Sequence, residues 1–200
     1  MQAIDYGYPA GTVLPSKVVD DIGDGELRIA FDFDGVIADD SSEKVYKDGQ
    51  LDAFHRHEFE KSDIPLNPGP LADLFRKLSF MQKLEDRAEE SDETYKRVLR
   101  MSIVTARNAP AHERVVTTLE RWGVNANETF FLGGMQKSRI LEVLKPHMFF
   151  DDQKSHLESA GGDIPMVHIP FGVANRVRGA ASKASVEENT LFKSEREFRQ

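Results

Sequence analysis

The 200-residue chain contains no cysteine. That excludes a disulfide framework, a thiolate nucleophile and a Cys-ligated zinc site. Positive charge is also in short supply: 26 Lys and Arg stand against 34 Asp and Glu, for a formal net charge of −8. Such a balance argues against a general binder of nucleic-acid polymers or of an anionic membrane. If the substrate is a small anion, its charge must be met locally. No run approaches the roughly 20 apolar residues of a membrane-spanning helix. The opening MQAIDYGYPAGTVLPSK lacks the apolar core of a signal peptide. There is no internal repeat and no low-complexity tract. These absences leave a soluble protein, expected in the cytoplasm. Its length suits one substantial domain, or one domain carrying a smaller insert.

What is present is an alternation of apolar runs and helical patterns. Residues 1–27 are rich in Gly, Pro and Asp, lack periodicity, and read as an N-terminal arm on the surface or on a partner subunit. LRIAFDF is a short, nearly continuous apolar run of the kind found in a parallel strand covered on both faces. Residues 41–60 read as helix with Val45, Leu51, Phe54 and Phe59 as buried positions. SDIPLNPGPL is a loop by its prolines and glycine. Residues 70–88 read as a second helix with Leu71, Leu74, Phe75, Leu78 and Met81 inward. Strand signals return in LRMSIVTARN, ETFFLGG, HMFFDD and IPMVHIP. Between them lie a helix after Pro110 with Val115, Val116, Leu119 and Trp122 on one face and Gly123 as its stop, the helix KSRILEVL, and a short helix over 153–160.

Strands alternating with helices predict right-handed crossovers and a parallel sheet. The expected fold is α/β: a Rossmann-like parallel sheet core with helices on both faces, and a small helical cap inserted after the first core strand. The core takes residues 28–38 and 96–173, the cap 39–95, and a weakly patterned tail 174–200.

Ligands in such sheets sit beyond the carboxyl ends of the strands. The first core strand ends in Asp32-Phe33-Asp34-Gly35, the second in Thr105-Ala106-Arg107-Asn108, the third in Gly133-Gly134 with Lys137 beyond, and the fourth in Asp151-Asp152. Each alone has a plain reading as a turn, a cap or a solvated charge. Packing does not explain why apolar strands should all end in such groups. Converging carboxylates repel each other, and a hard divalent cation, Mg²⁺ by default, resolves this with oxygen ligands. Thr105 can hydrogen-bond a phosphate oxygen and Lys137 supplies a point charge. One carboxylate can attack phosphorus, while a second two residues on serves as general acid and then as base.

Asp32-Phe33-Asp34-Gly35-Val36 resembles the first motif of the haloacid dehalogenase superfamily of phosphatases. Thr105, Lys137 and Asp151-Asp152 match its other three motifs in order. DDSSEKVY, LDAFHRHE, PLNPGPL, VTARNAPAHERVVTTLERWGV, FFLGGMQKSRIL and PHMFFDDQKSH closely resemble the cytosolic type I 5′-nucleotidase family and its bacterial relatives. The resemblance implies a Mg²⁺-dependent hydrolase of nucleoside 5′-monophosphates. In that reading Asp32 is nucleophile and metal ligand, and Asp34 is general acid/base with its backbone carbonyl on the metal. Thr105 and the backbone N–H groups near Phe33 and Ala106 hold the phosphoryl group, and Lys137 fixes Asp32 and the phosphate. Asp152 is the direct metal ligand of the acidic pair, and Asp151 binds directly or through water.

The cap leaves alternatives open. Phe54, His55, His57 and Phe59 include a base-stacking ring or a ribose contact, or else Phe54 and Phe59 simply pack the helix. One aromatic among Phe54, Phe59 and Phe80 is expected on the base. Arg107 and Asn108 face the cleft, although Asn108 serves equally well as a helix cap. A phosphatase for a sugar phosphate or another small phosphomonoester is the second enzyme reading, and a nucleotide-binding module without turnover is the third. Retention of both Asp32 and Asp34 counts against the last. A homo-oligomer is compatible with the sequence.

Overall fold

The computed structural model describes residues 2–19, 21–159 and 164–175. Helix α1 (Gln2–Asp5) and the short strand β1 (Thr12–Val13) precede the central strand β2 (Leu27–Phe31). Helices α2 (Ser41–Glu60) and α3 (Ala72–Ser91) follow, then β3 (Leu99–Thr105). Thereafter helix and strand alternate through α4 (His112–Trp122), β4 (Glu128–Phe131), α5 (Ser138–Leu144), β5 (Met148–Asp151), α6 (Lys154–Ser159) and β6 (Met166–His168). The strand order is β1-β6-β5-β2-β3-β4. Every pairing is parallel except β1 with β6. The chain is thus the expected Rossmann-like α/β sheet, with one correction. The arm is not wholly peripheral, because Thr12 and Val13 pair with His168 and Val167 and form an antiparallel edge.

Side-chain alternation along the strands builds two cores. Phe31, Met101, Ile103 and Phe150 point to one face with Phe75, Leu78 and Val115. Ala30, Val104, Phe149 and Met166 point to the other with Leu141 and Leu157. Helices therefore cover both faces. The Phe75 ring meets Phe31 edge-on at 5.4 Å, so α3 packs on the sheet itself rather than standing apart with α2.

The predicted inward positions of the helices need revision. In α2, Leu51 and Phe59 are 52% and 64% exposed, while Ser42 and Glu58 are fully buried. The four apolar candidates are spread around the helix rather than along one stripe, so no apolar face existed to bury. In α3 the buried residues are Ala72, Phe75, Leu78, Ser79 and Gln82, whereas Leu74 and Met81 are exposed. Ser79 Oγ donates to Asn125 Oδ1 and the Gln82 amide N–H donates to Asn127 Oδ1, while Gln82 Oε1 has no partner among the described residues. In α4, Val116 is exposed and Arg114, Val115 and Thr118 are buried. Gly123 ends α4 in the left-handed conformation, as expected. The tail beyond Asn175 lies outside the described residues.

The sheet places β2 between β3 and β5. The chain runs from β2 to β3 and β4 on one side, then crosses to β5 and β6 on the other. This is a topological switch point, where the crevice beyond the carboxyl ends opens.

Candidate active site

Phe31 is in register with Ile103 and Phe150. Asp32 then leaves the sheet with its N–H donated to the Phe150 carbonyl at 2.8 Å. Three strand ends therefore meet at one level.

Lys137, at the start of α5, reaches into this edge. Its Nζ lies 2.7 Å from Asp32 Oδ2 and 2.7 Å from Asp151 Oδ2. All three side chains are buried. Two anions sharing one cation favour its charged form, so the Lys137 ammonium is held protonated although burial works against it. Burial pushes the Asp32 carboxyl up to about 7, against the pull of Lys137. Burial acts on Asp151 in the same direction, but Lys137 and His156 outweigh it and hold this carboxyl below its ordinary range. The Phe33 N–H donates to Asp32 Oδ1 at 2.7 Å and sets the carboxylate orientation. Thr105 is buried at the end of β3, and its hydroxyl accepts the Arg107 N–H at 3.3 Å.

Asp151 and Asp152 differ sharply in their surroundings. Asp151 has Lys137 and His156 on Oδ2 and the Gln153 N–H on Oδ1. Both oxygens of Asp152 are buried and have no hydrogen-bond partner among the described residues. Its main-chain carbonyl is fixed by Asn175 Nδ2 at 2.8 Å and lies 3.1 Å from His168 Nε2. Burial, then the charges of Asp32, Asp151 and Glu43, push the Asp152 carboxyl up to about 9. Glu43, on the first turn of α2, also has a buried oxygen with no hydrogen-bond partner among the described residues. An orphaned buried carboxylate among others of its kind is the arrangement a hard divalent cation would satisfy. The residues therefore fit a metal. Asp32, Asp151 and His156 also bring ligand atoms within 4.8 Å of one another. Lys137 is already bonded to both carboxylates of that trio, whereas both oxygens of Asp152 lack a partner among the described residues.

Gly35 makes room for this carboxylate. Its φ is +74°, and a Cβ there would stand 2.6 Å from Asp152 Oδ2. Gly69 of the proline-rich loop seals the turn from behind, where a Cβ would stand 2.3 Å from the Ala38 carbonyl oxygen.

Asp34 projects to the other side of the turn and is gripped by Arg107. Nε and Nη2 of Arg107 donate to its two oxygens at 2.7 and 2.6 Å, a bidentate fork. Arg107 Nη1 also donates to Glu58 of α2 and to the Ala111 carbonyl. The guanidinium lies 5.6 Å from the Phe33 ring and 5.5 Å from the Phe54 ring. Phe54 thus stands beside the site, while Phe59 and Phe80 are largely exposed. His57 Nδ1 is 3.0 Å from Glu58 Oε1. Ala106 and Asn108 are exposed on the loop. The Asn108 carbonyl accepts the His112 N–H, and no side-chain cap bonds the start of α4.

The structure brings Asp32, Asp34, Thr105, Lys137, Asp151, Asp152 and Arg107 to one edge. Sequence reasoning missed Glu43, Glu58, Arg114, His156, His168 and Asn175. The one local hint was the broken apolar pattern of residues 41–60.

Among the described residues, no helix is long and apolar enough to cross a membrane. No solved structure matches the chain. It is 36% identical over 160 residues to human cytosolic 5′-nucleotidase 1B, an alignment covering 80% of this chain and 26% of the human protein. The chain thus spans about a quarter of the length of that relative. Residues 1–176 match the family described as 5′-nucleotidase, and the chain belongs to that family.

Proposed function

We propose that this chain is a cytoplasmic Mg²⁺-dependent phosphomonoester hydrolase that converts nucleoside 5′-monophosphates to nucleoside and phosphate through a phosphorylated Asp32. The observation that carries this reading is the pairing of a buried, Lys137-bound carboxylate at the central strand end with a second carboxylate two residues later. Family membership and the human relative's name support the substrate class.

Asp32, Asp152 and the backbone carbonyl of Asp34 would hold the cation. When bound, it neutralises phosphate oxygens and lets adjacent carboxylates stay ionised. Lys137 draws Asp32 toward its ionised form against burial and orients it, and its charge offsets that of the incoming phosphate. Thr105 donates its hydroxyl hydrogen to a phosphoryl oxygen, with the N–H groups around Phe33 and Ala106 beside it. Asp32 attacks phosphorus as the bond to the 5′-oxygen breaks, and Asp34, entering the step protonated on a lone pair that the Arg107 fork leaves open, gives that proton to that oxygen. Water then attacks phosphorus, Asp34 takes the water proton, and the bond to Asp32 breaks to release phosphate. The segment around α2 covers the leaving group, and Phe54, beside Arg107, stacks on the base.

Phosphate release from a panel of nucleoside monophosphates and sugar phosphates, with chelator and with added Mg²⁺, tests this reading. Nucleoside monophosphates should be preferred, activity should need the metal, and Asp32→Asn should be folded and inactive. Equal rates on sugar phosphates, or full turnover in chelator, would refute it.

A further inference from the structure

Glu58 is a carboxylate in a place where a packing helix ordinarily puts leucine. Its side chain is 0% exposed, and an unpaired charge there would be costly. Four groups satisfy it. Ser42 Oγ donates at 2.7 Å, Arg114 Nη1 at 2.9 Å, His57 Nδ1 stands at 3.0 Å, and Arg107 Nη1 completes the set. Arg114 belongs to α4 and also donates to the Ile64 carbonyl at 2.8 Å, so it already ties Glu58 of α2 to α4. The bond to Arg107 therefore calls for a further reason.

Arg107 is shared between two carboxylates from different parts of the fold. One edge of its guanidinium holds Asp34 and the other holds Glu58. The group is planar, so fixing Nη1 on Glu58 fixes the direction in which the fork faces Asp34. The rings of Phe33 and Phe54 flank it. Among the described residues, Arg107 is the hydrogen-bonding partner of the Asp34 side chain. The Asp34 side chain is still 20% exposed, and a carboxylate oxygen has a second lone pair, so the fork orients it without closing it off from the cleft.

We infer that Glu58 is a positioning residue for the acid/base carboxylate: α2 sets Arg107 through Glu58, and Arg107 sets Asp34 toward the leaving oxygen. This rests on the proposed role of Asp34. It makes the placement of the helix that covers the substrate a condition for proton transfer. Supporting groups of this kind hold catalytic side chains to the tolerance that proton transfer requires.

The test compares two substrates that differ in one atom: a nucleoside 5′-monophosphate and its 5′-thio analogue, with sulfur bridging nucleoside and phosphorus. A thiolate leaves without a proton and an alkoxide does not. Asp34→Asn should lower kcat/KM on the oxygen substrate by roughly a hundredfold to ten-thousandfold, and far less on the sulfur substrate. Glu58→Gln should show the same split, losing about tenfold or more on oxygen and about twofold or less on sulfur. Arg107→Lys keeps the positive charge but has one head instead of a fork. It should show the split as well, and serves where far-UV circular dichroism shows Glu58→Gln to be unfolded. Equal losses on both substrates in the folded variants, alongside a split in Asp34→Asn, would overturn the inference and leave the hydrolase reading standing. No split in Asp34→Asn would overturn the acid assignment itself.

Discussion

Replacing Asp152 by asparagine should have opposite consequences with and without metal. The amide keeps the side-chain volume and removes the titrating group. In the metal-free protein the carboxyl holds its proton up to about 9, against an ordinary value of 3.8 in an unfolded chain. Between those values the folded state binds more protons than the unfolded state. Stability from this group is therefore complete below the lower value and declines as pH rises toward the upper one. Asparagine has no such decline. Without metal, Asp152→Asn should match the parent at about pH 4 and melt higher than the parent at about pH 8.5. Saturating Mg²⁺ should reverse that order. A ligand at a hundred times its Kd stabilises by about 2.7 kcal/mol, which for a domain of this size is about 5–10 °C in Tm. The parent should gain that shift, more strongly at alkaline pH because the cation displaces a proton. Asp152→Asn should gain almost none. Asp151→Asn should retain most of the shift but start from a lower Tm, since removing one partner of a buried pair costs about 3–5 kcal/mol. Thermal melts with chelator and with Mg²⁺, at acid and alkaline pH, measure all of this. A full Mg²⁺ shift in Asp152→Asn, or its loss in Asp151→Asn alone, would refute the reasoning.

Gly35→Ala should lower Tm by about 2–8 °C, from a left-handed backbone cost of about 1–2 kcal/mol. It should also blunt the Mg²⁺ shift, because the new methyl group would displace the Asp152 carboxylate; an unchanged Mg²⁺ response would show that the carboxylate moves aside freely. Phe54→Leu should lower kcat/KM for nucleoside monophosphates by about tenfold to hundredfold, the worth of one stacked base. Its activity on p-nitrophenyl phosphate should stay nearly unchanged, and equal losses on both would make Phe54 a packing residue.

The parallel core was legible because its strands are covered on both faces. LRIAF and MSIVT are mostly apolar without strict alternation, the pattern of a strand covered on two sides. The strand-end groups were legible for the same reason. Asp32, Thr105, Lys137 and Asp151-Asp152 interrupt or follow apolar runs at points where burial has no use for them. Local sequence also announced the α4 stop at Gly123, since a left-handed cap is a property of a few neighbouring residues.

What tertiary structure alone decided depends on partners far apart in the chain. Arg107 meets Asp34 and Glu58 across 73 and 49 residues, and no periodicity carries that pairing. Glu58 gave no signal of its own in the sequence, because helix propensity takes no account of which face is covered. Asp151 and Asp152 are identical as neighbours in sequence, yet Lys137 and His156 occupy one, while the oxygens of the other have no partner among the described residues. The strand end aims one carboxylate toward Lys137 and the other against Gly35. A residue's type and spacing determine what chemistry it can perform. Its protonation, its partners and its freedom to bind are set by desolvation and by the charges the fold brings within a few ångströms.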